Sequence, residues 1–120
     1  MNDRMQTKKL SIPLRVIFYL QEDRWVAHCL EFDLCGDGDS KKEAIASLKD
    51  AVICQVSNAV ENGNPSDLFS PADGKFFHMF ACGRHIAVGE LEVHFPLSDD
   101  IVIEEIDARE YSDIDLACAR

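Results

Sequence analysis

Across residues 10 to 20 the sequence LSIPLRVIFYL puts Leu10, Ile12, Leu14, Val16, Phe18 and Leu20 on one side by strict alternation. That is the period of a β-strand with one buried face. Pro13 has no amide hydrogen to give to a ladder, so it belongs near the start of the strand or on a sheet edge. The polar break Gln21-Glu22-Asp23 leads into residues 24 to 32, where Trp25, Val26, Ala27, His28, Cys29 and Leu30 predict a second strand. The two form a hairpin. Its turn lacks glycine, so a two-residue primed turn is not specified and a loop one or two residues longer is expected.

Leu34 and Cys35 then predict a short third strand or extended segment that closes in the turn Gly36-Asp37-Gly38-Asp39. Ser40 can cap the element that follows while Glu43, three positions on, reaches back to the cap's own amide. From residue 41 to residue 62, Ile45, Leu48, Val52, Val56, Ala59 and Val60 recur every three or four positions, with Lys42, Lys49, Asp50, Asn58 and Glu61 elsewhere. This is one amphipathic helix, about 33 Å long at about 1.5 Å per residue, enough to cover one face of a small sheet. Gly63 suits the position after the helix, and Pro65 enforces the stop.

Residues 63 to 74, GNPSDLFSPADG, form a connector. Residues 75 to 82 and 84 to 95 predict a second hairpin around Cys82-Gly83-Arg84, and residues 101 to 106 a further strand behind Pro96 and Ser98-Asp99-Asp100. Alternation in the first of these strands sets Phe76, His78 and Phe80 against Phe77 and Met79, so both of its faces need cover. A one-layer monomer supplies only one, and a homo-oligomer is expected. The resulting fold class is α+β: an antiparallel sheet with one long helix packed on one face, in the order β-β-β-α-β-β. It makes a single domain over residues 8 to 106, and residues 107 to 120 form a short helix, a swapped arm or a disordered tail.

Composition narrows the function classes. With 120 residues, 47% hydrophobic and 28% charged, the chain has the makings of one cored domain rather than a disordered or coiled-coil segment. Its net charge of −10 repels a phosphate backbone, so direct nucleic-acid binding is not expected, whereas a basic protein partner is favoured. The first ten residues lack a secretory pattern and no apolar run approaches the ~20 residues of a membrane helix. Five cysteines at irregular spacing argue for thiols in a reducing compartment. A soluble, cytoplasmic protein follows as the expectation.

Possible reactive constellations have plainer explanations. His28-Cys29, Cys35, Cys82-x-x-His85 and His94 hold zinc-binding atoms but no paired CxxC or CxxH set, and neighbouring strand residues point to opposite faces. Asp33, Asp37 and Asp39 could be imagined as a magnesium site for a nuclease, yet turn solvation and the helix dipole account for Asp37 and Asp39. The aromatic run at residues 76 to 80 has few cations beside it, so it belongs to a core or an interface rather than to base stacking. No metal, no cofactor and no catalytic residue is expected.

The stretch RWVAHCLEFDLCGDGDSKKEAIASLKDAV resembles the HicB-type antitoxin domain. The matching residues are Trp25 and Ala27 on the second strand, the Gly38-Asp39-Ser40 turn, Glu43-Ala44 in the first helical turn, then Leu48 and Ala51. The likeness spans residues 12 to 62. It implies a partial ribonuclease-H-like fold without nuclease activity, which binds and blocks a small basic HicA-type mRNA-cleaving toxin and assembles as dimers or tetramers. The chain departs from the family pattern at Glu22-Asp23, where a glycine-rich turn is usual, and at Asp33-Leu34, where proline-glycine is usual. Residues 75 to 106 read as strands rather than a DNA-reading helix, so operator binding is not expected. The toxin-binding contact falls to Glu31, Asp33, Asp37 and Asp39, with Trp25 as an aromatic anchor. The alternatives are a stand-alone oligomeric HicB-like regulatory module and, behind it, a metal-dependent nuclease.

Overall fold

The computed structural model describes residues 10 to 63, 69 to 87 and 101 to 112. Among these described residues seven elements run in the order β1 (Leu10–Gln21), β2 (Arg24–Cys29), β3 (Leu34–Gly38), α1 (Lys41–Glu61), α2 (Gly74–Cys82), β4 (Arg84–Ile86) and β5 (Ile101–Glu110). The strands form one five-stranded sheet in the spatial order β3-β2-β1-β5-β4. The chain is α+β, as expected, but the sheet is mixed rather than antiparallel. β1 lies antiparallel to β2 and β2 to β3, while β5 enters beside β1 in parallel. A parallel neighbour requires a long crossover, and the helices and connector between β3 and β5 provide it. The β1–β5 register shifts between Ile12 and Pro13, where the proline removes a ladder donor.

The first hairpin is tighter than its composition suggests. Gln21 pairs directly with Arg24, so the loop is two residues, and Glu22 and Asp23 take φ of 53° and 67°. A primed turn thus forms without glycine. It is tolerated readily at Asp23 and at a strain of about 1 kcal/mol at Glu22.

Helix α1 spans the expected residues and buries the expected stripe. Ala44, Ile45, Leu48, Val52, Val56 and Ala59 pack on Leu14, Val16, Phe18, Ala27 and Cys29. Its start is capped: Ser40 Oγ accepts from the Glu43 amide at 3.2 Å. Glu43 Oε1 reaches back to the amide of Asp39 at 2.9 Å, one residue earlier than a standard capping box. Gly63 ends the helix at φ 69°. Pro65 lies outside the described residues.

Gly36 and Gly38 lie inside β3 instead of in a turn. A Cβ on Gly36 would stand 2.1 Å from the Leu48 amide nitrogen, and one on Gly38 would stand 2.4 Å from Glu43 Cβ. The glycines let α1 settle directly on the edge strand.

The largest departure concerns residues 75 to 82, which form helix α2 and not a strand. Eight residues with apolar side chains at 76, 77, 79 and 80 fit either period, and tertiary packing decides. Phe76, Phe77, Met79 and Phe80 close over Ile17, Leu30, Tyr19 and Tyr111 on the sheet face opposite α1. Arg109 holds the helix end, its Nη1 donating to the Phe80 carbonyl at 3.1 Å with the guanidinium 4.4 Å from the Phe80 ring. The sheet is therefore covered by one helix on each side. The expectation of a single covering helix is corrected, and with it the two-faced strand over residues 75 to 82 on which the expected oligomer rested. Of the strand expected over residues 84 to 95, β4 covers Arg84–Ile86 and residues 88 to 95 lie outside the described set. Conversely β5 runs on to Glu110, past the expected end at Ile106, with Ala108 fully buried. Residues 113 to 120 of the tail are outside the described set. No described helix is long and apolar enough to cross a membrane.

Candidate functional site at the hairpin end of the sheet

The register of β2 on β3 brings two carboxylates onto one guanidinium, and the tight turn adds two more acidic residues at the same end. Arg24, first residue of β2, donates from Nε to Asp37 Oδ2 at 3.0 Å and from Nη1 to Asp39 Oδ1 at 2.8 Å. Glu22 and Asp23 precede it in the turn, and all five side chains are exposed. Arg24 can balance only one of the four negative charges, so this end of the sheet stays anionic. Beside it a cleft of about 320 Å³ opens on the sheet face that α2 leaves bare, lined by Tyr19, Gln21, Arg24, Val26, Cys35 and Asp37.

Trp25 belongs to the same end but the opposite face. It is half-buried against the α1 core, with the Lys41 ammonium 4.9 Å from its ring centre. Lys41 also pairs with Glu110. Trp25 forms one wall of a second cleft of about 520 Å³, together with Tyr19, Leu20, Met79, Glu110 and Tyr111. Leu20, 58% exposed, stands at its mouth.

Asp33 immediately precedes β3, about 13 Å along the strand from Asp37, and Glu31 lies in the same β2–β3 turn. Both are engaged within the fold. Glu31 accepts from the Arg15 amide at 2.8 Å and from Arg15 Nε at 2.7 Å. Asp33, at φ 54°, lies 2.8 Å from Nε2 of the buried His28, whose Nδ1 is 3.2 Å from the Tyr19 hydroxyl. The five residues singled out in the sequence thus divide into three places. Asp37 and Asp39 come together, Trp25 shares their end of the sheet, and Glu31 and Asp33 fasten the β2–β3 turn.

This separation takes apart the magnesium-type cluster considered for Asp33, Asp37 and Asp39. Among the described residues no three histidine, cysteine or acidic side chains converge in a metal-holding group. His28 and Cys29 point to opposite faces, one toward Phe76 and the other into the α1 core. Burial pushes the Cys29 thiol up to about 12 and the Tyr19 hydroxyl likewise to about 12. Cys29, Cys35 and Cys54 are free, whereas Cys82 is disulfide-bonded, which departs from the expectation of thiols throughout.

Sequence reasoning passed over Arg24 and Tyr19. Arg24 meets its partners 13 and 15 residues away through the β2–β3 register, a pairing that local spacing does not encode. No protein-family model matches this chain, no curated protein matches it, and no solved structure matches it. Fold and site chemistry define the class: an α+β domain with a mixed five-stranded sheet, helices on both faces and an anionic end.

Proposed function

We propose that this chain is a non-enzymatic, HicB-like, cytoplasmic protein that binds and neutralises a small basic HicA-type RNA-cleaving toxin. What carries the reading is the anionic end, where Arg24 occupies Asp37 and Asp39 as a cation of the partner would. The elements that bear the resemblance, from Trp25 through the Gly38-Asp39-Ser40 cap into α1, make one continuous piece of structure beside it. A toxin lysine or arginine competes with Arg24 for the two carboxylates, and occupying the toxin's cationic RNA-binding surface blocks cleavage without any chemistry.

The test is co-expression with the product of the neighbouring reading frame where that product is small and basic, followed by size-exclusion chromatography and an RNA-cleavage assay. A co-eluting complex that no longer cleaves RNA supports the reading. Replacing Asp37→Asn and Asp39→Asn together weakens the complex at least about tenfold, mainly by slowing association. Arg24→Gln, which frees both carboxylates, leaves binding intact or tightens it. A loss of binding in Arg24→Gln equal to that in the double variant, or no association at low salt, overturns the assignment. RNA turnover by the chain itself with magnesium, abolished by Asp37→Asn, establishes the nuclease instead.

Exposed Leu20 beside the Trp25 cleft favours a second reading, a stand-alone homo-oligomeric module. Light scattering distinguishes it: a dimer or tetramer that Leu20→Glu converts to monomer, with no basic partner recovered, supports this alternative.

A further inference from the structure

β3 stands at one end of the sheet order, with β2 as its neighbour on one side. Among the described residues, no backbone hydrogen bond outside the helices and ladders uses residues 34 to 38. The backbone groups of alternate residues in a strand point to opposite edges, so those of every second residue in β3 face outward, as at any edge that can take one more strand. This edge is firmly backed. Gly36 and Gly38 are buried where a Cβ would run into α1, so the helix lies directly against the strand on that side. Cys35 and Asp37 point to the other face and are exposed, as are the flanking Asp33 and Asp39. Asp33 meets His28, which stands across from Cys35 in the register, and Asp39 shares Arg24 with Asp37. Three carboxylates are thus spread along about 20 Å of one open edge, at about 6.7 Å per pair of residues. The 320 Å³ cleft lies beside them, with Cys35 and Asp37 of β3 in its wall.

We propose that β3 is a docking edge for an extended basic segment of a protein partner. The segment pairs with β3 as a sixth strand and sets lysines or arginines at alternate positions against Asp33, Asp37 and Asp39. The inference rests on the reading above for the partner's charge and adds how that partner is held. Main-chain hydrogen bonds to the outward groups of β3 supply affinity in any sequence, and the spacing of the carboxylates selects among sequences. The same acids exclude a second copy of this chain. Pairing β3 on β3 about Gly36 would set Asp33 opposite Asp39 and Cys35 opposite Asp37, and like charges directly opposite each other destabilise a strand pair. Cations at those positions turn the repulsion into attraction. Asp37 and Asp39 already hold Arg24, but in an exposed pair that water weakens, so an incoming cation shares the carboxylates or displaces the arginine.

The probe is a capped peptide of about seven residues alternating lysine and valine, long enough to span the three carboxylates. It carries a dye and is titrated with the full chain at low salt by fluorescence anisotropy. Two N-methylated versions of equal charge separate strand pairing from the attraction of charge alone. One is methylated on the lysine amides and the other on the valine amides, and in a strand these two sets of amides point to opposite edges. One version binds at least about tenfold more weakly than the unmodified peptide, because the hydrogen bonds to β3 are gone, and the other stays within about threefold. Hydrogen exchange of the complex slows at alternate amides of residues 34 to 38. Asp37→Asn with Asp39→Asn weakens the unmodified peptide about tenfold.

Equal behaviour of the two methylated peptides, whether both bind or both fail, overturns the proposal. So does binding that leaves the β3 amides exchanging as in the free chain, or a dimer of the free chain that protects those amides, which assigns the edge to a second copy. The methylated pair leaves the protein unaltered, so the comparison decides the matter even where the double variant fails to fold. The two readings also fail separately. Peptide pairing at β3 without any complex with the neighbouring basic protein keeps the edge and removes the toxin. A toxin complex in which exchange at residues 34 to 38 is unchanged keeps the toxin and removes the edge.

Discussion

A methyl group at position 36 would meet the backbone of α1, whose Leu48 nitrogen and Ala44 oxygen lie 2.1 and 2.6 Å from the built Cβ. Neither atom can move without shifting the helix, so Gly36→Ala destabilises the fold by about 3 kcal/mol, read from the urea midpoint. Arg24 is the contrary case. Its ion pairs with Asp37 and Asp39 are 48%, 60% and 78% exposed at the three side chains, so Arg24→Gln changes stability by less than about 1 kcal/mol. A larger loss shows that the arginine is structural and removes the reasoning behind a competed site. Local sequence identified Asp37 and Asp39 as acids of a loop or turn. It did not reveal that one cation would draw them together, because that depends on strand register.

Among the elements, α1 was the most legible, since its stripe, its cap and its terminal glycine all point the same way. Ser40→Ala removes the oxygen that accepts from the Glu43 amide and costs about 1 kcal/mol by thermal or urea unfolding. Ser40→Asp retains the acceptor and restores most of it. Helix α2 was illegible for a physical reason. Its nine residues present aromatic side chains on adjacent as well as spaced positions, and a short apolar run reads as strand or helix until something is packed against it. Phe80 is its most buried anchor. Phe80→Ala costs about 3 kcal/mol, and hydrogen exchange shows α2 amides opening before those of β1 and β2.

At the scale of the molecule, two helices on opposite faces leave β1 in the middle of a mixed sheet and seal Cys29 within it. The folded state holds the Cys29 proton up to about 12, whereas an ordinary thiol loses it near 9.0. Between those values the unfolded chain is the more deprotonated, so stability falls as pH rises, by up to about 1.4 kcal/mol per pH unit. Tyr19, raised from 10.0 to about 12, acts in the same direction. Urea titrations from about pH 8.5 to 10.5 show a shallower decline in Cys29→Ala than in the parent; equal slopes mean that the thiol is not sealed. Opposed to this core is an anionic exterior with a net charge of −10. Its grip on a basic partner weakens as salt rises, because exposed charges separated by more than a Debye length are screened.

By itself the sequence determined the elements whose periodicity and caps are local: the first hairpin, the third strand, α1 and the acidic balance of the surface. Only the tertiary structure decided that β5 enters parallel to β1, that residues 75 to 82 coil into α2, that Arg24 meets Asp37 and Asp39, and that Tyr19 meets His28 across neighbouring strands. The division has one cause. Hydrogen bonds within a helix or turn join residues a few positions apart, whereas strand order, register and the choice of period for a short apolar run are fixed by which buried surface is left to cover.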